Sequence, residues 1–261
     1  MLTFFRRIRK SLLTTSSARK YILYALGEVL LVMVGILLAL QVNNWNERRK
    51  RLEQEAILID NLMEDMVVDS VAIQILQGDI SLRGLMFQEL YLASRGVIAL
   101  TEIENLGLLR WNVGLDAIAK ENHPEIASMI TSVETRDAIR KYYRGINNME
   151  FVLDEYNHAI VEIVRPYLRS EGIFKSDYFY GRFAFEPIHK NLVEYKKEAN
   201  RDFGTRYNMK EYERILQTKE FEQVLFEVSA KFSVIKRVLD ELEMMNHELM
   251  KMLSDFNPLE D

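Results

Sequence analysis

The sequence predicts an all-α protein in which one N-terminal transmembrane helix continues into an extended, coiled-coil-like helical bundle. Three observations predict this. Residues 21–42 form a predominantly apolar run, heptad-spaced apolar seams lie at both ends of the remaining chain, and only 4 prolines interrupt 261 residues. The expected organisation is a basic amphipathic cytoplasmic segment (1–20), a transmembrane helix (21–42) and a helical-bundle domain (43–261).

Charge divides the chain in the same way. Residues 1–51 carry ten Lys/Arg against two acids, Glu28 and Glu47, whereas residues 52–261 carry 24 against 37. A basic head suits anionic lipid headgroups, and an acidic body argues against nucleic acid as a partner. Cysteine is absent, which excludes disulfides, thiolate metal sites and a cysteine nucleophile.

The span comes first. Tyr21 to Val42 is 22 residues, of which thirteen are Leu, Ile or Val, close to the ~20 a helix needs to cross the hydrocarbon layer. Those thirteen contribute roughly −4 to −8 kcal/mol of apparent insertion free energy. One central carboxylate costs around +2.5 to +3.5 kcal/mol. Insertion is therefore favoured despite Glu28. Tyr21, Tyr24 and Trp45 stand where interfacial aromatic anchors belong. A cleaved signal peptide fits less well, because the basic lead-in is long and LLALQVNNW offers no small-residue cleavage site.

Six Lys/Arg precede the span and four follow it closely, the latter diluted by Glu47, Glu53 and Glu55. The positive-inside rule then expects a cytoplasmic N-terminus and the bulk of the chain on the far side, which is periplasmic if the membrane is a bacterial inner membrane. Within MLTFFRRIRKSLL, Phe4, Phe5, Ile8 and Leu12 share one helical face. Arg6, Arg7, Arg9 and Lys10 are the expected contacts to lipid headgroups.

Helical phase assigns Glu28 a place. At 100° per residue, Tyr24, Glu28, Val32, Gly35, Ala39 and Val42 fall on one stripe. Gly35 and Ala39 form a small-xxx-small pair that lets another helix approach. Glu28, Gly35 and Ala39 are thus the expected membrane-helix contact, to a homo-oligomer mate or to another membrane protein.

Past the span, Leu52, Ala56, Ile59, Met63, Met66, Ser70 and Ile73 alternate at four and three, a heptad seam. Near the C-terminal end, Leu225, Val228, Phe232, Ile235, Leu239, Leu242, Asn246, Leu249 and Leu253 repeat the pattern more strongly. These seams pack together within one bundle or across an oligomer. Between them Thr101 with Glu104 reads as a capping box, and Pro124 as a first helical position. An amphipathic stretch runs from about Arg136 to Leu168, where Pro166 should kink or end it. Pro187 opens another helix, and Asn208 with Glu211 forms a further capping pair. The exception is DYFYGRFAFE (177–186), five aromatics around Gly181, read as a plug over a bundle end.

Chemistry is sparse. No phosphate-binding loop, dinucleotide fingerprint, zinc-protease motif or nucleophile elbow is present. Glu155 and His158 have the Glu-x-x-His spacing of di-iron bundles, but no other histidine has a glutamate three residues before it. His158 is therefore read as a solvated or core-edge side chain, with no metal, cofactor or catalytic residue expected.

The stretch FFRRIRK and the continuous KYILYALGEVLLVMVGILLALQVNNWNERRK resemble the start of a family of single-span helical proteins common in Bacteroidota, a domain of unknown function. The GE pair in the span and NNWNE after it carry the resemblance most specifically. Looser similarity continues in ILIDNLMEDMVVDS, SVETRDAIRKYYRGINN and IVRPYL. It implies helical architecture and an envelope location, with no activity. The expected function is a membrane-anchored, non-enzymatic envelope scaffold or sensor. The alternative is a proton-motive-force-coupled subunit using Glu28.

Overall fold

A computed structural model describes residues 18–175 and 207–256. Their regular elements are all helices, with an isolated antiparallel bridge between Phe174 and Tyr207. The described chain divides into two units, one running to Ile57, the other spanning Leu58–Phe256. Helix α1 (Ala18–Ser94, 77 residues) contributes to both.

In the first unit α1 presents the apolar run openly. The window from Ala25 has mean hydropathy 2.3 and none of it is buried, so the protein has one helix near its N-terminus long and apolar enough to cross a membrane. No proline or loop separates this stretch from the next residues of α1.

The second unit is a bundle built on three long helices: α1 from Leu58, α4 (Val133–Ala159) and α7 (Lys219–Ser254). Its core lies along a heptad row on α1, where Ile59, Leu62, Met66, Asp69, Ile73, Leu76, Ile80 and Arg83 are all buried. The expected α1 seam shares Ile59, Met66 and Ile73 with it. Met63 and Ser70, expected inside, sit at its edge, because the row turns through Leu62 and Asp69. The α7 seam lies as expected: Val228, Ile235, Leu239, Leu242, Asn246, Leu249 and Leu253 are buried.

Contacts define the helix directions. Lys141 pairs with Glu248 and Glu155 with Lys231, each at 3.0 Å, so α4 and α7 run antiparallel. Asp69 meets Tyr142 and Arg83 meets Tyr156, the same sequence offset twice, so α1 and α4 run parallel. A parallel pair cannot be joined by a tight turn. The connection, residues 95–132, must return the length of the helix.

That connection is a strap of short elements. It holds 3₁₀ turns at Leu100–Glu102 and Leu106–Arg110, then α2 (Ala119–Asn122) and α3 (Ile126–Met129). The strap starts where α1 stops: Gly96, at φ +70°, lets Val97 N–H reach the Leu92 carbonyl (3.0 Å) and Gly96 N–H the Ala93 carbonyl (3.0 Å). Glu102, not Glu104, caps the first turn, accepting from Ala99 N–H at 2.8 Å. Helix α4 begins under Ser132, whose hydroxyl accepts from Thr135 N–H at 3.3 Å.

Pro166 does not end its helix. Helix α4 widens into a π turn (Ile160–Val164) and continues as α5 (Arg165–Ser170). A proline lacks an N–H and its ring crowds the carbonyl four residues back, and an extra residue in the turn relieves both. Gly172, at φ +67°, closes α5. Helix α6 (Met209–Leu216) starts after Asn208 as expected, although the Asn208 side chain makes no cap bond and Glu211 pairs with Arg214 (2.7 Å). Phe174, Tyr207, Tyr212, Phe221 and Tyr167 form a chain of ring contacts at this end, with neighbouring centroids 5.8–6.1 Å apart. The aromatic run at 177–186 and the helix expected after Pro187 lie outside the described residues.

At Gly145, α7 side chains press close to the α4 backbone. A Cβ there would lie 2.9 Å from Met245 Sδ and 3.1 Å from Leu242 Cδ1. Gly145→Val should therefore lower stability by about 1–3 kcal/mol through overpacking, seen as an earlier denaturant midpoint. Gly145→Ala should cost less, because the Met245 end can move.

Candidate functional site

The expected membrane contact is exposed on α1. Glu28, Gly35 and Ala39 all lie on open surface, and a Cβ on Gly35 would meet nothing within 4 Å. Packing within this chain thus places no demand for glycine at 35. Trp45 is 65% exposed beyond the run. The side chains of Tyr21 and Tyr24, and residues Arg6, Arg7, Arg9 and Lys10, lie outside what is described.

A second set of polar residues, unforeseen from sequence apart from Asn246, lies inside the bundle. Asp69 is fully buried. Its Oδ1 accepts from Ile118 N–H (2.6 Å) and Ala119 N–H (3.2 Å), and its Oδ2 from the Tyr142 hydroxyl (2.7 Å). The carboxylate thereby satisfies backbone donors at the start of α2 that have no intrahelical partner. Asn246 completes the group, its Nδ2 donating to the Tyr142 hydroxyl (3.3 Å) and the Met66 carbonyl (3.4 Å). One turn earlier, Asp65 accepts from Asn122 Nδ2 at 2.7 Å and lies 3.1 Å from His123 Nε2. Tyr143 brings its hydroxyl to the His123 carbonyl at 2.9 Å.

Arg83, two heptads along, holds the other end of the strap and is 2% exposed. Its Nη1 donates to the Leu108 and Trp111 carbonyls (both 2.8 Å), its Nη2 to the Asn112 carbonyl (3.2 Å) and its Nε to Asp79 (2.7 Å). Those carbonyls sit at and just past the C-terminal end of a 3₁₀ turn, where backbone acceptors are left over and a cation is favoured. Asn157 on α4 matches Val113 on both sides, accepting its N–H (2.9 Å) and donating to its carbonyl (2.7 Å). Arg165 adds bonds to the Arg110 carbonyl (2.9 Å) and Asn112 Oδ1 (2.7 Å).

This constellation does structural work. Every contact of Asp69 and Arg83 described above is directed at protein groups, so the two side chains fasten the strap. Glu155 pairs with Lys231 and His158 is exposed, which leaves the Glu-x-x-His spacing without an inward face. Among the described residues no group of three or more His, Asp or Glu could hold a metal ion.

The fold and the span together define an all-α protein with one candidate membrane helix at its N-terminal end. A model of a family of unknown function (DUF6090) matches residues 28–80, from Glu28 through the inner seam to Ile80. No curated protein and no solved structure matches the chain.

The tyrosines report on the bundle's integrity. Burial, with the Asp69 charge and hydrogen bond adding to it, raises the Tyr142 hydroxyl well above its usual range. Burial, with Asp69 and Asp65, does the same for Tyr143, and burial alone dominates for Tyr212. A raised folded-state pKa contributes stability that is complete below the unfolded value of about 10 and is lost as pH climbs through the folded one. Stability should therefore hold up to about pH 10 and fall above it. Phenolate absorbance of these tyrosines should appear only with unfolding.

Proposed function

We propose that this protein is a membrane-anchored, non-enzymatic scaffold or sensor of the bacterial cell envelope. Its N-terminus is cytoplasmic, its bundle periplasmic, and it works within an oligomer or a larger complex. The observation that carries this reading is that a wholly exposed apolar segment and the heptad row of the bundle belong to one helix, Ala18–Ser94. The commitment of the buried Asp69 and Arg83 to internal bonds supports a structural rather than a catalytic role for the domain. Lipid bilayer is one partner. A second copy or another membrane protein at the Glu28/Gly35/Ala39 face is the other.

A second reading is favoured by one observation, the exposed Glu28 inside the apolar run. A carboxylate at that depth is costly, and a proton-motive-force-coupled subunit would use it for proton transfer. Glu28→Gln separates the two, because glutamine keeps hydrogen bonding but cannot release a proton. For the scaffold, Glu28→Gln should leave both assembly and the phenotype of a deletion complemented. Intact assembly with lost complementation would establish the coupled reading instead.

A further inference from the structure

We propose that the outer face of α1 in the bundle is a parallel pairing surface for a second copy of this chain. Opposite the buried row, Val68, Val71, Ile75, Gly78, Leu82 and Leu85 repeat at spacings of three and four, and all are exposed. Ile75 is 69% exposed and Leu85 53%. This is a heptad seam of its own, distinct from the one that fills the core. The remaining fully exposed positions between 67 and 88 are Val67, Gln74, Ser81 and Gln88, and the one charge bordering this face is the half-buried Asp79, paired with Arg83 at 2.7 Å. The outer face of α7 in the same bundle shows the usual pattern instead, with Lys236, Arg237, Asp240 and Glu241 in succession.

Two features point to a helix of the same kind as the occupant. A three-four seam is the geometry that packs against another such seam, and apart from Gly78 its residues here are all Val, Ile or Leu. Gly78 stands in the middle of the seam, where a Cβ would meet nothing within 4 Å of this chain. Glycine within a helix is unfavourable, and close approach of a partner backbone gives it a use. The seam exposes on the order of 500 Å² of apolar surface, toward the top of what a monomer's largest patch shows. With its flanking residues it approaches the ~800 Å² per partner of a standard interface.

The parallel direction rests on the membrane reading above. Copies anchored through the same N-terminal segment point the same way, which sets identical seam positions opposite one another and raises their effective concentration.

Because the chain has no cysteine, disulfide trapping is unambiguous. Full-length chains carrying Ile75→Cys, Leu82→Cys or, as a control, Glu241→Cys are oxidised mildly in native membranes. Dimers are expected at 75 and 82 and not at 241. Adding Ile75→Glu to the Leu82→Cys chain should reduce its dimer at least tenfold, and none of these positions is in the core. Trapping at 75 and 82 no better than at 241, or undiminished by Ile75→Glu, overturns pairing. Trapping only between mixed Val71→Cys and Leu85→Cys chains overturns the parallel direction. The membrane reading is scored separately, by whether the chain sediments with membranes at all.

Discussion

The carboxylate of Asp69 is the fixed point of the bundle. Helices α1 and α4 run parallel, so 38 residues (95–132) must travel back along α1. A segment of short turns cannot satisfy its own backbone groups, and unpaired buried N–H and C=O groups are expensive. Asp69 supplies the acceptor for two of those N–H groups, and Arg83 supplies donors for three carbonyls. Each side chain matches the sign of the helix end it meets, the carboxylate at the start of α2 and the guanidinium at the end of a 3₁₀ turn.

The two anchors also set register. Asp69 and Arg83 are separated by two heptads, and so are their partners Tyr142 and Tyr156 on α4. Sliding α4 by one turn against α1 would strip both of a partner. An all-apolar seam would tolerate such a slip far better, as buried polar residues in coiled coils illustrate. The stability of a buried charge is a separate matter, since desolvation offsets much of its gain. What the pair adds is the penalty for every alternative arrangement.

These same residues explain how much could be read from the sequence. The all-α class, the apolar run and the α7 seam were legible, because each is a local period of apolar residues long enough to stand out. The α1 seam was half legible. Ile59, Met66 and Ile73 were found, but Met63 stood in for Leu62 and Ser70 for the buried Asp69, and the row was not followed past Ile73 to Arg83. A search for heptad rows that admits isolated polar residues would have found them, much as Asn246 was found within α7. The strap was not legible, since its backbone groups find side-chain partners up to 55 residues away and no local pattern records them. Pro166 was misleading for a related reason: a π turn, whose sequence signal is weak, carries the helix past it.

The strap's dependence on its polar anchors is tested most directly by amide hydrogen exchange in the Asp69→Ala protein. The loss should free the Ile118 and Ala119 amides, whose exchange should accelerate by at least two orders of magnitude, while amides at the α4–α7 interface near Ile146 and Leu242 keep their protection. Unchanged protection at Ile118 and Ala119 would show that packing alone holds the strap, and the account would be wrong at its centre.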